Sequence, residues 1–177
     1  MKRKIKKKLL AWKNNKTDRM PLILNGARQV GKTYILREFG EEYYKNVVYI
    51  NLETNLSISS YFNDNIEPER ILRYLEAYTK QAIIPEETLI ILDEIQSCER
   101  ALTSLKYFNE QTPEFHIAAA GSLLGVAINR EKYSYPVGKV DTITMHPLDF
   151  EEFLWANDEN QLCDEIKTCY NAMIPMP

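Results

Sequence analysis

Apolar positions fall along this chain in two alternating periods. Five short runs, Leu22 to Leu24, Val47 to Leu52, Leu89 to Leu92, His116 to Ala120 and Val140 to Met145, have the length and content of strands. Leu89 to Leu92 is uninterrupted, as expected of a strand covered on both faces. Between these runs the spacing turns helical. Ile71, Leu72, Leu75 and Tyr78 follow Pro68 at intervals of one helical turn, and Leu102, Leu105 and Phe108 stripe another segment. Tyr34 to Phe39 reads as a helix directly after the first strand, and Ile5, Leu9, Leu10 and Trp12 mark the buried side of a helix at the N-terminus. Pro147 to Leu154 reads as a further helix start, with another helical pattern from about Gln161 to Ala172. Strands alternating with helices predict parallel βαβ units. Right-handed crossovers then bring the loops after the first, third and fourth strands to one edge of the sheet, where ligands of open α/β sheets bind.

A length of 177 residues with 45% hydrophobic content suits one domain and one core. No apolar run approaches the 18 residues of a membrane span, and the lysine-rich start lacks a following apolar stretch with a cleavage site, so a soluble, unexported protein is expected. Cys98, Cys163 and Cys169 are an odd set without C-x-x-C spacing, which supports neither a disulfide framework nor a zinc site and suits a reducing cytoplasm. Net charge is -3, yet Lys2, Arg3, Lys4, Lys6, Lys7 and Lys8 crowd positive charge into one end. That cluster reads as the solvated face of the first helix, or as a contact for nucleic acid or an acidic partner; the absence of a wider basic stripe favours the first reading.

The candidate chemistry lies on the expected ligand edge. Gly26-Ala27-Arg28-Gln29-Val30-Gly31-Lys32-Thr33 fits G-x-x-x-x-G-K-[ST], the Walker A pattern, in the required setting between a strand and a helix. Its backbone N–H groups suit a β-phosphate, Lys32 the β- and γ-phosphates, and Thr33 a Mg²⁺ ion. Some sixty residues on, Leu89-Ile90-Ile91-Leu92-Asp93-Glu94 ends an apolar strand with an acidic pair. Asp93 suits the same Mg²⁺ through water. Glu94 suits orientation and deprotonation of a water that attacks the γ-phosphate, against the alternative of a solvated carboxylate at a strand end. Ser122 after the fourth strand reads either as a sensor of the γ-phosphate or as a turn residue capping a short helix. Gln96 and Arg100 follow the acidic pair, and Arg130 and Lys139 are the local candidates for a trans-acting cation; surface solvation is the competing reading for each. Asn15-Lys16-Thr17-Asp18 matches the guanine-reading N-K-x-D pattern but follows a helix rather than a buried strand, which argues against guanine. His116 and His146 stand alone, and the tyrosines are spread through core patterns.

Together these residues resemble the AAA-like P-loop ATPase family related to archaeal ATPases, whose longer members carry a C-terminal domain of unknown function. The likeness rests on Gly26 to Thr33, on Leu92-Asp93-Glu94-Ile95-Gln96, on Gly121-Ser122-Leu123-Leu124-Gly125, and on Pro136-Val137-Gly138-Lys139-Val140 leading to Pro147-Leu148-Asp149-Phe150-Glu151-Glu152-Phe153. It implies a P-loop NTPase three-layer α/β sandwich with a five-stranded, mainly parallel sheet in the order 5-1-4-3-2. By that resemblance ATP and Mg²⁺ are the cofactors, Gly26 through Tyr34 contact the nucleotide, Thr33 and Asp93 hold the metal, and Lys32, Glu94 and Ser122 serve hydrolysis. Lys139 stands where many relatives have arginine. Residues 1–18 are then a basic N-terminal helix, 19–156 the ATPase core, and 157–177 the start of a truncated helical lid or linker. The expected partners are a C-terminal domain or a second copy of the chain, with nucleic acid weakly supported and no membrane. The competing functions are a nucleotide-gated binding module with little hydrolysis and, behind it, a small-molecule kinase.

Overall fold

A computed structural model describes residues 2–122 and 136–176. Leu123, Leu124, Gly125 and Arg130 lie outside the described residues. Five strands, β1 Leu22–Gly26, β2 Asn46–Asn51, β3 Thr88–Asp93, β4 His116–Gly121 and β5 Asp141–Met145, form one sheet in the order β2-β3-β4-β1-β5. This is the order 5-1-4-3-2, and every pairing is parallel rather than most of them. The helices are α1 Ile5–Asn14, α2 Lys32–Tyr43, α3 Leu56–Asp64, α4 Pro68–Thr79 and α5 Glu99–Gln111, followed by Phe150–Ala156 and Asn160–Ala172.

Strand side chains alternate between faces, and that period builds three layers. Leu22, Leu24, Leu89, Ile91, Ala118 and Ala120 pack with Leu9, Trp12, Ile35, Leu36 and Phe39 of α1 and α2. Their neighbours Ile23, Val48, Ile50, Ile90, Leu92, Ile117 and Ala119 pack with Ile58, Phe62, Ile71, Leu75, Leu105 and Phe108 of α3, α4 and α5. Every residue of β3 and β4 is buried, as their continuous apolar runs require. At about 25 cal/mol per Å², each large aliphatic side chain withdrawn this way contributes about 1.5–3 kcal/mol.

Helix α3 has no counterpart in the sequence reading. It buries only Ile58 and Phe62, one turn apart, within a segment rich in Ser and Asn that compete for the backbone. Tyr78 also departs from expectation. It is 45% exposed in the last turn of α4, stacks near Tyr74, and donates its hydroxyl to Asn55 Oδ1 at 2.8 Å.

The basic start is a solvated helix face only in part: Lys7 and Lys8 of α1 are exposed, while the residues just before the helix are engaged by the chain. Arg3 is buried, with Nε on Glu152 Oε1 at 3.2 Å and an Nη donating to the His146 carbonyl at 2.8 Å. Glu152 Oε1 also accepts the Lys4 backbone N–H at 2.7 Å, while Asp149 and Glu152 form a capping box that starts the Phe150–Ala156 helix. Lys4 Nζ bridges Asp149 and Glu151, and Lys6 Nζ bridges Glu38 and Glu42. The hydrogen bonds it donates to Asp149 and Glu151 raise the Lys4 ammonium above its ordinary range. Lys2 lies over the Trp155 ring, 4.1 Å from its centroid. The N-terminal segment is thereby strapped across the turn that follows β5.

Candidate functional site

β1 delivers the chain to Gly26, whose backbone runs so close to the end of β5 that an added Cβ would lie 2.3 Å from the Met145 carbonyl oxygen. Only glycine fits. Gln29 at φ 63° and Gly31 at φ 93° then take left-handed conformations, which curl the loop back on itself and start α2 at Lys32. Gly31 caps that helix without a side-chain hydrogen bond, so the first-turn N–H groups face the loop. Lys32 is 9% exposed, and its Nζ donates to the carbonyls of Gly26 at 3.0 Å and Ala27 at 2.7 Å. Burial pushes its ammonium below the ordinary lysine range, while Glu94 and Asp93 pull it back up.

The end of β3 lies against this loop. Asp93 is buried, and its Oδ2 accepts the Thr33 hydroxyl at 2.8 Å and the Tyr49 hydroxyl at 2.8 Å. Its Oδ1 accepts the Glu94 backbone N–H at 3.0 Å, and its carbonyl accepts Leu52 N–H at 2.9 Å. Glu94 turns out of the strand in a left-handed conformation at φ 53°, a cost a non-glycine residue bears where the surroundings enforce it. The Gln96 side-chain amide donates to Glu94 Oε2, and the Gln96 Oε1 atom is buried with no hydrogen-bond partner among the described residues. Ser122, buried just past β4, accepts from Arg28 Nε at 3.4 Å.

A cavity of about 800 Å³ opens on the loop. Residues 28–31 and Tyr34 supply part of its wall, and Met145, Pro147, Leu148 and Arg3 the rest. Arg3 also donates to the Val30 carbonyl at 3.5 Å, so the N-terminal strap touches the loop itself.

Loop 26–33, Tyr34, Asp93, Glu94, Gln96 and Ser122 are therefore gathered at one edge of the sheet. Other candidates are not. Lys139 precedes β5 at the opposite edge and pairs with Glu110 Oε1 at 3.0 Å, which removes it from this site within the chain. Asn15 closes its own turn by accepting Asp18 N–H at 3.3 Å before β1 begins, so the N-K-x-D match is turn chemistry. His116 starts β4 at that far edge, with Tyr44 Oη 2.6 Å from its Nδ1. Arg100 is exposed on the first turn of α5. Tyr49, Arg3 and the cavity residues Met145, Pro147 and Leu148 were not assigned to this site from the sequence. A signal for Tyr49 existed: within β2, Val48 and Ile50 are the aliphatic face, and Tyr49 occupies the other, more polar one.

A glycine-bent loop between a central parallel strand and a helix, with a buried lysine and an acidic strand end beside it, defines a P-loop nucleotide-binding domain of the three-layer α/β kind. A family model described as an AAA domain matches residues 18–154, and the chain belongs to that family. No curated protein matches it. Among solved structures the chain is similar to AMPPCP-bound DnaA from Aquifex aeolicus, with 15% identity and a TM-score of 0.50 over 88% of this chain and 48% of that one. It is also similar to the Aeropyrum pernix ORC1 protein in complex with DNA, with 16% identity and a TM-score of 0.49 over 86% and 47%. The chain thus spans about half the length of each, and the likeness to DnaA bears on the fold alone.

Proposed function

We propose that this chain binds ATP with Mg²⁺ and hydrolyses it, and that its nucleotide state moves a C-terminal domain or a partner subunit. The observation that carries the reading is Lys32: a buried ammonium whose hydrogen bonds go to the neutral carbonyls of its own loop, beside the Thr33–Asp93 oxygen pair. A cation held this way is available to an anion that enters the loop, because the phosphate replaces weak carbonyl contacts with charge-assisted ones. The cavity walled by Tyr34, Pro147 and Leu148 has room for the nucleoside. The hard oxygens of Thr33 and Asp93 fit Mg²⁺, which when bound would neutralise charge on the β- and γ-phosphates.

Glu94 sits beside that pair and has a carboxylate able to take a proton from water. In the proposed step the water oxygen bonds the γ-phosphorus, Glu94 receives the water proton, and the bond from the γ-phosphorus to the bridging oxygen breaks. The products are ADP and inorganic phosphate. Ser122, which accepts from Arg28, would sense the γ-phosphate in this reading. Residues 19–156 form the ATPase core in this reading, residues 1–18 a strapped helix, and residues 157–177 the start of a lid or linker.

The competing reading, a nucleotide-gated module with little hydrolysis that binds nucleic acid or protein through the basic N-terminus, loses part of its support because Arg3, Lys4 and Lys6 are engaged by carboxylates of the chain, whereas Lys2, Lys7 and Lys8 are exposed. The test is calorimetric titration of ATP with Mg²⁺ into wild type, Lys32→Ala and Glu94→Gln, with GTP as competitor, followed by phosphate release. Binding that prefers ATP and is lost in Lys32→Ala is expected. Glu94→Gln should retain binding and lose about 10²–10⁴-fold in turnover; turnover equal to wild type would overturn its assignment.

A further inference from the structure

We propose that Tyr49 is the positioning residue of the metal side of this site: its hydroxyl fixes the Asp93 carboxylate in the orientation in which Asp93 and Thr33 together face a divalent cation. The inference rests on the ATP and Mg²⁺ reading above. It begins with register. Tyr49 pairs with Ile91 and Asn51 with Asp93 across the β2–β3 ladder, so Tyr49 is on the same sheet face as Asp93, one pleat before it. That is the face α2 covers, and α2 begins with Thr33 behind Lys32. From there the phenol reaches Asp93 Oδ2 at 2.8 Å, the oxygen that also accepts the Thr33 hydroxyl.

Beside Tyr49, Glu94 N–H holds Oδ1, Leu52 N–H the carbonyl, and the Thr33 hydroxyl Oδ2. Thr33 can give its proton to Oδ2 and still present an oxygen lone pair to a metal; Tyr49 is the second donor on that oxygen, carried by the neighbouring strand rather than by the loop, so it fixes the carboxylate independently of Thr33. Arg37 lies over the ring, 5.1 Å from its centroid. The ring is only half-buried, so phenylalanine retains the packing and the Arg37 contact and loses the hydroxyl alone.

Outer-sphere partners of this kind typically change metal affinity by about 10–100-fold when removed. The experiment is titration of ATP into wild type and Tyr49→Phe, with EDTA and then across a Mg²⁺ series. Tyr49→Phe should bind Mg²⁺-free ATP within about twofold of wild type, and should need about tenfold more Mg²⁺ to reach half of the metal-dependent gain in affinity. Adding Tyr49→Phe to Asp93→Asn should change nothing further, since the hydroxyl then has no carboxylate to hold; an additive loss there would mark a merely structural role and overturn the proposal. An unchanged Mg²⁺ requirement in Tyr49→Phe, with Lys32→Ala abolishing binding, would overturn it while leaving the ATP reading intact. Wild type that shows no Mg²⁺-dependent gain would remove both.

Discussion

Two cationic side chains are buried among the described residues, and the fold satisfies them in opposite ways. Arg3 meets a carboxylate, Glu152, with both side chains almost fully enclosed, and the same carboxylate takes the Lys4 N–H. Lys32 meets the carbonyls of Gly26 and Ala27, with Asp93 and Glu94 near enough to bias its charge but not hydrogen-bonded to it. The first arrangement contains an anion of the chain's own, with the remaining Arg3 donors on the Val30 and His146 carbonyls. The second is a charge waiting for an anion. A buried cation with its own carboxylate ties elements together, whereas one held by neutral groups marks a ligand site, since desolvation is offset only when something negative arrives.

The largest expected effect tests the first half of that contrast. Removing one member of a buried ion pair strands the other, so Arg3→Ala should cost about 3–5 kcal/mol in urea denaturation. Combining it with Glu152→Ala should recover part of the loss, seen as a coupling energy in the double-mutant cycle. A single-mutant cost under about 1 kcal/mol would show the strap to be ornamental.

His116 supplies an intermediate case, a buried base with no anion at all. Burial, helped by the positive charges of Arg19 and Lys13, brings its pKa from 6.5 down to about 3. Its Nε2 has no partner among the described residues. The unfolded chain therefore takes up a proton below about pH 6.5 that the folded chain refuses until about pH 3. The stability this residue supports is full above pH 6.5 and is lost as pH falls between the two values. Wild type should lose about 1–2 kcal/mol more than His116→Gln between pH 7.5 and pH 4.5 in matched urea melts. Parallel pH profiles would place the proton elsewhere.

The smallest effect is expected at Lys32 itself. Lys32→Met should leave unfolding free energy within about 1 kcal/mol of wild type, because only weak carbonyl contacts are lost and a buried charge is removed. A loss as large as that of Arg3→Ala would mean that the two cations do the same job.

What could be read from the chain alone were features whose physics is local. The loop from Gly26 to Thr33 is contiguous, so its glycines, lysine and threonine could be recognised by spacing, and the acidic pair announced itself at the end of the apolar run Leu89 to Leu92. The strands were recovered to within a residue or so at their ends; Val140 and Leu52, for example, lie just outside β5 and β2. Helix α3 escaped because two buried residues in a Ser- and Asn-rich stretch leave too weak a period, and Tyr78 was misplaced because helical spacing does not say where a helix outruns its support. Distance in sequence decided the rest. Arg3 and Glu152 are 149 positions apart, and Tyr49 and Asp93 are 44. The cavity joins loop 28–31 to Pro147 and Leu148, and Lys139 pairs with Glu110 away from the chain's own site. Local pattern fixes which residues turn inward on each element, but strand register and crossover geometry fix which of those inward residues meet, and these come into being only when the sheet closes on its helices.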